Sequence, residues 1–467
     1  MKLIWVPLLA SLTVSCPGPR SRPGIPANHL LLITVAGLRA DHTSAWQYHR
    51  PTTYTEIDGG LRANGRALAL DDLAADGVMF AHAFAPSGDT DASLASLLSG
   101  RPPLETGVMD GAAAPSLDHS NLALALQEAG YCTAAFVTGD ALAADPWRRG
   151  FDVFERGEAD RATLGNALDW ASARDFGNGQ RVLIWIHLEQ PTFPFLPTEM
   201  DATVERGGWV DFARLFADPD YAGAADGSEA FRARSLESDS SGLEAVDRDH
   251  VIALYDGELA QTDRLLQLFL DFYRDAGASN EVWERTLLVL AGLGGVELFE
   301  AGARDPRSWG ENGRLSDGVL QVPLVLRHPD SLTGRRIFAS VTELQDLLPT
   351  LLDWFRLTPV EGAQGRSLLS LTDLAGRGFE SRPAFGCRGS AGRVEALTAR
   401  DERWRLIWTP GAEVPFELID QVADPFALDN LSSERPDLVR RLMGQLRTWL
   451  ESQDAASGLD LTAFGQG

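Results

Sequence analysis

Thr90 stands between two carboxylates in the segment GDTDASLASLLSGR, with Arg101 closing the run. A hydroxyl with acids on both sides is suited to helix capping, and Thr90, Asp91 and Ser93 have the residue types for it. It is suited to ester chemistry only where a cation balances Asp89 and Asp91, since two bare carboxylates repel an anionic ester. Arg101 has the type to contact an oxyanion or to pair with a nearby acid. His187, in WIHLEQP, ends an apolar run. A lone histidine so placed is more often a satisfied structural residue than a catalyst. Glu297, Glu300 and Glu311 could add carboxylates, but their spacing reads as surface.

These side chains must be carried by elements, and the chain is long enough to build them. Its 467 residues exceed the usual size of a single core, which predicts one large domain and a smaller one. Acids outnumber bases 66 to 41, and the net charge of −25 argues against nucleic acid or an anionic membrane surface as partner. Lys2 is the only lysine.

Short apolar runs alternate with segments of helical period, the pattern of a sheet covered on both faces. Strands are expected over Leu30–Val35, Val78–Phe84, Cys132–Val137, Val182–Leu188, Thr286–Ala291 and Val322–Leu326. Helices are expected over Leu68–Ala75, Leu94–Leu98, Leu122–Ala129 and from about His250 to Ala276. The fold class is therefore an α/β sandwich. From 198 to 249 the pattern gives way to Asp, Glu, Gly and Ser, as in SLESDSSGLEAVDRD, which predicts a solvated, acidic insertion. A loop that sets specificity is the functional alternative. Beyond a boundary near 372–382, short alternating runs and an amphipathic stretch, Leu438–Leu450, predict a small antiparallel sheet with a helix over 376–455, followed by a tail, 456–467.

The N-terminus has the pattern of an export signal. Lys2 precedes an apolar run, Leu3–Val14, shorter than the about 20 residues needed to span a bilayer, and residues 17–28 read as a linker. LTVSC resembles a bacterial lipoprotein cleavage box, which would make Cys16 the lipid-bearing first mature residue. An ordinary signal or an uncleaved anchor is the alternative. Cys132 and Cys387 fall in different predicted domains, and two buried thiols are expected in preference to a disulfide.

From residue 29 onward the chain also resembles the sulfatases, and through them the alkaline phosphatase superfamily. The resemblance is carried by LLLITVAGLRADH, LDDLAADGVMFAHAFAPS, ALYDGELAQTDR, QVPLVLRHP, LQDLLPTLLDW, RWRLIW and ADPFALDNL in the family's order. It implies a sulfatase-like domain over 29–375 with a central, mostly parallel sheet, and a site built from an oxygen nucleophile, a divalent cation such as calcium and an acid.

Against that pattern the site positions have changed. Ala36 and Gly37 replace the acidic pair or Asp-Thr that ends the first strand, and Leu293 and Gly294 replace the Asp and His or Asn of the second ligand turn. Thr90 falls at the nucleophile, Ala92 at the proline, Leu94 at the arginine, and Thr192 at the histidine of Asp-Pro-His-x-Pro-Tyr. Arg101, Arg39, Asp41 and His42 match, and His187 persists. Asn312 stands near the family's basic contact to sulfate.

Losing several oxygen ligands should abolish cation binding, so the expectation is no metal and no cofactor. The leading reading is a non-catalytic, exported, lipid-anchored protein of a bacterial membrane that uses the fold to bind an unidentified ligand or protein. The competing reading is a divergent hydrolase or transferase of sulfate or phosphate esters, with Thr90 as nucleophile, Arg101 at the oxyanion, His187 retained, and acids from Asp89, Asp91 and Glu297.

Overall fold

The computed structural model describes residues 29–53, 70–110, 121–139, 142, 145–174, 180–201, 209–237, 243–274, 280–299, 309–310, 315–329, 331–338, 340–372, 379–390, 392–425 and 427–453. Cys16, the signal and linker segments, Glu300, Glu311, Asn312 and the tail lie outside them.

Strands follow in chain order as β1 (His29–Val35), β2 (Val78–Phe80), β3 (Ala83–Phe84), β4 (Cys132–Thr138), β5 (Val153–Gly157), β6 (Val182–Leu188), β7 (Glu199–Asp201), β8 (Trp209–Asp211), β9 (Thr286–Gly292), β10 (Leu324–Arg327), β11 (Arg335–Ile337), β12 (Thr342–Glu343), β13 (Ala384–Ser390), β14 (Arg393–Arg400), β15 (Trp404–Trp408) and β16 (Phe416–Asp420). The central sheet has the order β11-β2-β10-β9-β1-β6-β4-β5. Only β10 runs against its neighbours.

β1 shows why these sequences form buried parallel strands. Every residue of HLLLITV is buried, and alternate side chains go to opposite faces. Leu30 and Leu32 join the helix Thr90–Ser99 through Leu94, Leu97 and Leu98. Leu31, Ile33 and Val35 join the helix Ala245–Phe272 through Tyr255, Leu259 and Leu266.

Several boundaries differ from expectation for local reasons. The predicted strand Val78–Phe84 is broken at Ala81 and His82, where the chain leaves β10 and β11 and pairs instead with β12. The predicted strand at Val322 joins the ladder only at Leu324, because Pro323 has no N–H to donate. The long helix begins at Ala245, ahead of the last acidic stretch, because Glu244 and Asp247 form a capping box. The helix expected over Leu94–Leu98 starts at Thr90, capped by Asp89, whose carboxylate accepts from Ala92 N at 2.8 Å.

Most of the described 198–249 segment is exposed or half-buried, as its composition suggests, but it also sends side chains into the core. Phe212, Ala225 and Phe231 are buried in the main core, and Phe231 packs against Trp309.

The four strands β13 to β16 form an antiparallel sheet, covered by the helix Pro436–Glu451. The opposite face docks on the large domain, where Ala396 and Ile407 meet Phe84, Val319 and Leu320. Cys132 and Cys387 are both free, Cys387 buried beside Met109. Among the described residues no helix is long and apolar enough to cross a membrane.

Candidate functional site

In sheets of this type ligands bind beyond the carboxyl ends of the parallel strands, where the loops diverge. Here that edge is formed by the residues after β1, β4, β6 and β9, with the start of the helix Thr90–Ser99 beside them. Close approaches fix the arrangement. A Cβ at Gly294 would lie 3.2 Å from the Gly88 carbonyl oxygen, and one at Gly139 3.1 Å from Glu189 Oε1.

The first strand end has no space for a ligand side chain at one of its two positions. Ala36, 2% exposed, donates its N–H to Leu188 O. Gly37 has φ +67°, and a Cβ there would fall 1.7 Å from the Pro191 carbonyl oxygen and 3.0 Å from Thr192 Cγ2. Only glycine accommodates both the left-handed backbone and that contact. Thr192, at the family's histidine position, thus lies against the first ligand strand.

The second strand end likewise offers no side-chain oxygen. Leu293 is fully buried, its N–H held by Val35 O at 3.0 Å. It shares one apolar cluster with Ala92 and Leu94, the residues at the family's proline and arginine positions. Gly294 has φ +151°, which disfavours a side chain. A hard cation needs oxygen donors. The side chains at Ala36, Gly37, Leu293 and Gly294 supply none, and among the described residues no group of three or more His, Cys, Asp or Glu side chains is placed to hold a metal ion. The donor set does not fit the family's cation.

Thr90 lies half-buried in the first helical turn. No hydrogen bond joins its hydroxyl to a base among the described residues. Asp91, nearly buried, is pushed up to about 7 by burial and by the neighbouring charges of Asp89 and Glu189. The capping role falls to Asp89.

Arg101 is not brought to Thr90. It follows the far end of the same ten-residue helix, about 15 Å along the axis, and donates to Glu361 O at 2.8 Å. His187 is 3% exposed, and its Nδ1 shares a hydrogen bond of 3.0 Å with Thr34 Oγ1 across the β1–β6 pair. Burial pushes its pKa down to about 4, so it is neutral near pH 7. Arg39 donates to Asp41 and to Val296 O, and His42 pairs with Asp256 at 2.7 Å. His42 thus holds the loop after β1 to the long helix, and Arg39 ties the same loop to the segment after β9. Glu297 is buried, not at the surface as its spacing suggested.

Two further carboxylates lie beside the site, with little in the sequence to mark them. Asp160 accepts from the N–H groups of Glu189 and Gln190 at 3.0 and 3.1 Å. Glu258 accepts from Leu196 N at 2.7 Å. For Asp160 the only signal was its place at a helix start, and for Glu258 its place within ALYDGELAQTDR.

The sulfatase family model matches residues 29–357. Arylsulfatase K of Gallus gallus is 31% identical over 144 residues, which are 29% of this chain and 26% of that protein. Arylsulfatase K of Danio rerio is 26% identical over 204 residues, 43% and 37% respectively. The matched stretches thus span 26% to 37% of those curated relatives. Among solved structures, the putative sulfatase yidJ from Bacteroides fragilis superposes with a TM-score of 0.69 at 16% identity, covering 95% of this chain and 99% of its own. The phosphonate monoester hydrolase of Agrobacterium radiobacter gives 0.66 at 19%, covering 91% and 95%. With the strand order, the small C-terminal sheet and a family match across most of its length, the chain belongs to the sulfatase family of the alkaline phosphatase superfamily.

Proposed function

We propose that this protein is a non-catalytic sulfatase-family member that serves in binding or scaffolding. One observation carries the reading: the space of the ancestral ligands is filled. A lost ligand can be replaced by a carboxylate from a neighbouring loop. At Gly37, however, the side-chain space holds the Pro191 carbonyl, and Ala92, Leu94 and Leu293 form continuous apolar core. The remaining charge at Thr90 is unfavourable to an anionic ester, because burial and the neighbouring charges of Asp89 and Glu189 already raise the proton affinity of Asp91.

The alternative, a divergent hydrolase or transferase, is favoured by Thr90 itself, a half-buried hydroxyl at a helix start. Metal analysis of purified protein, a thermal shift on chelation and turnover of an aryl sulfate and a phosphonate monoester separate the two. The expected result is far less than one equivalent of calcium, magnesium, manganese or zinc, no chelation shift and no turnover. Near-stoichiometric metal, or hydrolysis abolished by Thr90→Ala, establishes the hydrolase instead.

The same proposal places the protein outside the cytoplasm, anchored through lipid on Cys16. The charge of −25 disfavours nucleic acid and anionic lipid surfaces, so a covalent anchor is the route to a membrane that remains. A labelled fatty acid should mark the wild type and not Cys16→Ala, which should leave the membrane fraction. Membrane association that survives Cys16→Ala, with no label on the parent, overturns the anchor.

A further inference from the structure

The segment from Glu189 to Leu196 crosses over the former ligand position at Gly37, and its two ends are fastened by different means. At the first end Asp160, 4% exposed at the start of the helix Asp160–Ser172, accepts two consecutive N–H groups, those of Glu189 and Gln190. In the middle the Pro191 carbonyl and Thr192 close on Gly37. Phe193 then meets Trp309 edge-on at 5.3 Å, and Phe195, fully buried, donates its N–H to Gly227 O at 3.1 Å. At the far end one oxygen of Glu258 accepts from Leu196 N. The other oxygen of Glu258 is buried without a partner among the described residues.

We propose that residues 189–196 form a strap that seals the site, hinged at the Asp160 end and able to release at the Glu258 end. The asymmetry carries the argument. Asp160 uses both oxygens, so its end has two hydrogen bonds to a buried acceptor. Glu258 makes one, and a buried oxygen left unsatisfied costs free energy whenever the strap is closed. Opening at Leu196 lets water reach that oxygen, which lowers the cost of release at this end alone. Leu196 is itself 50% exposed, so its side chain adds little to closure. Phe195 and the Gly227 contact supply the remaining hold within the segment, a Cβ at Gly227 lying 2.2 Å from Phe195 O, and just beyond it the exposed Thr198 N–H donates to Gln261 Oε1 at 2.8 Å, a bond that water competes for.

Segment-resolved hydrogen exchange by mass spectrometry tests this on the full-length protein. Glu258→Ala removes the acceptor, and exchange over 190–196 should rise by about ten-fold or more, the equivalent of one lost hydrogen bond, with β1, β6 and β9 unchanged. Glu258→Gln keeps an acceptor oxygen without charge. Since burial pushes Glu258 up to about 8, the native group is largely neutral at pH 7 and this variant should exchange like wild type. If Glu258→Ala does not fold, Gly227→Ala forces the strap away from outside the long helix and should raise exchange over the same residues. Unchanged exchange in the folded variant, or a rise spread evenly over the sheet, overturns the strap. Neither outcome depends on whether the site is catalytic.

Discussion

Asp317→Ala is expected to destabilise the protein by about 3–5 kcal/mol, the usual cost of removing one partner from a buried ion pair. Asp317 lies on the large domain and receives Arg400 and Arg405 from β14 and β15 of the C-terminal sheet, at 2.9 and 3.2 Å. Both arginines are buried. Without the carboxylate two guanidinium groups face each other in the interface. Although burial opposes it, Arg400 and Arg405 hold Asp317 below the usual carboxylate range. A depressed carboxyl contributes stability above its unfolded pKa and loses it as pH falls through the folded one. The gap between wild type and Asp317→Asn in urea denaturation should therefore be full at pH 7 and shrink as the pH falls below the ordinary aspartate pKa, about 4. A chain ending at residue 375 goes further: it uncovers Phe84, Val319, Leu320, Leu104 and Met109 and takes Arg382 and Phe385 N from Glu343. Such a chain should be insoluble or melt without cooperativity. A cooperative transition at the full-length temperature, or a neutral Asp317→Ala, would show that the two parts fold independently.

That interface marks how far the sequence could be read. β1, β6 and β9 were legible because strands buried on both faces are apolar almost throughout, and because period and length together separate them from helices. The break at Ala81–His82 was not, since it follows from a change of partner to residues over 250 positions away, which no local pattern records. At the site, the sequence displayed four positions without a side-chain oxygen: Ala36, Gly37, Leu293 and Gly294. It could not display what took the space. The Pro191 carbonyl over Gly37 is a backbone contact and leaves no compositional trace. Asp160 and Glu258 read as ordinary helix residues until the chain between them is seen to end on their carboxylates. In the 198–249 segment the acidic count outweighed a signal that was present: Phe212 and Phe231 are large apolar residues of a kind that seek the core.

Returning a ligand to the second strand end should damage the protein before it restores anything. Leu293→Asp is expected to cost at least about 4 kcal/mol, since it removes a fully packed isobutyl group and puts a carboxyl in its place. Leu293 has no exposed surface and belongs to the apolar cluster of Ala92, Leu94 and Val322. The new carboxyl would be held protonated in the folded state, its pKa raised above the unfolded value. Its penalty therefore grows as pH rises above about 4, where the unfolded chain ionises and the folded one resists. Urea denaturation at pH 4.5 and pH 8 should show the larger loss at pH 8. Adding Ala36→Asp and Gly294→His does not rescue metal binding, because Gly294 occupies a backbone region that histidine rarely adopts and the Pro191 carbonyl still covers Gly37. Equilibrium dialysis of the triple variant against calcium should find no bound ion. If instead the triple variant is as stable as wild type and takes up one equivalent, the ligand positions have kept their ancestral geometry, and the loss of the site is chemical and reversible rather than steric.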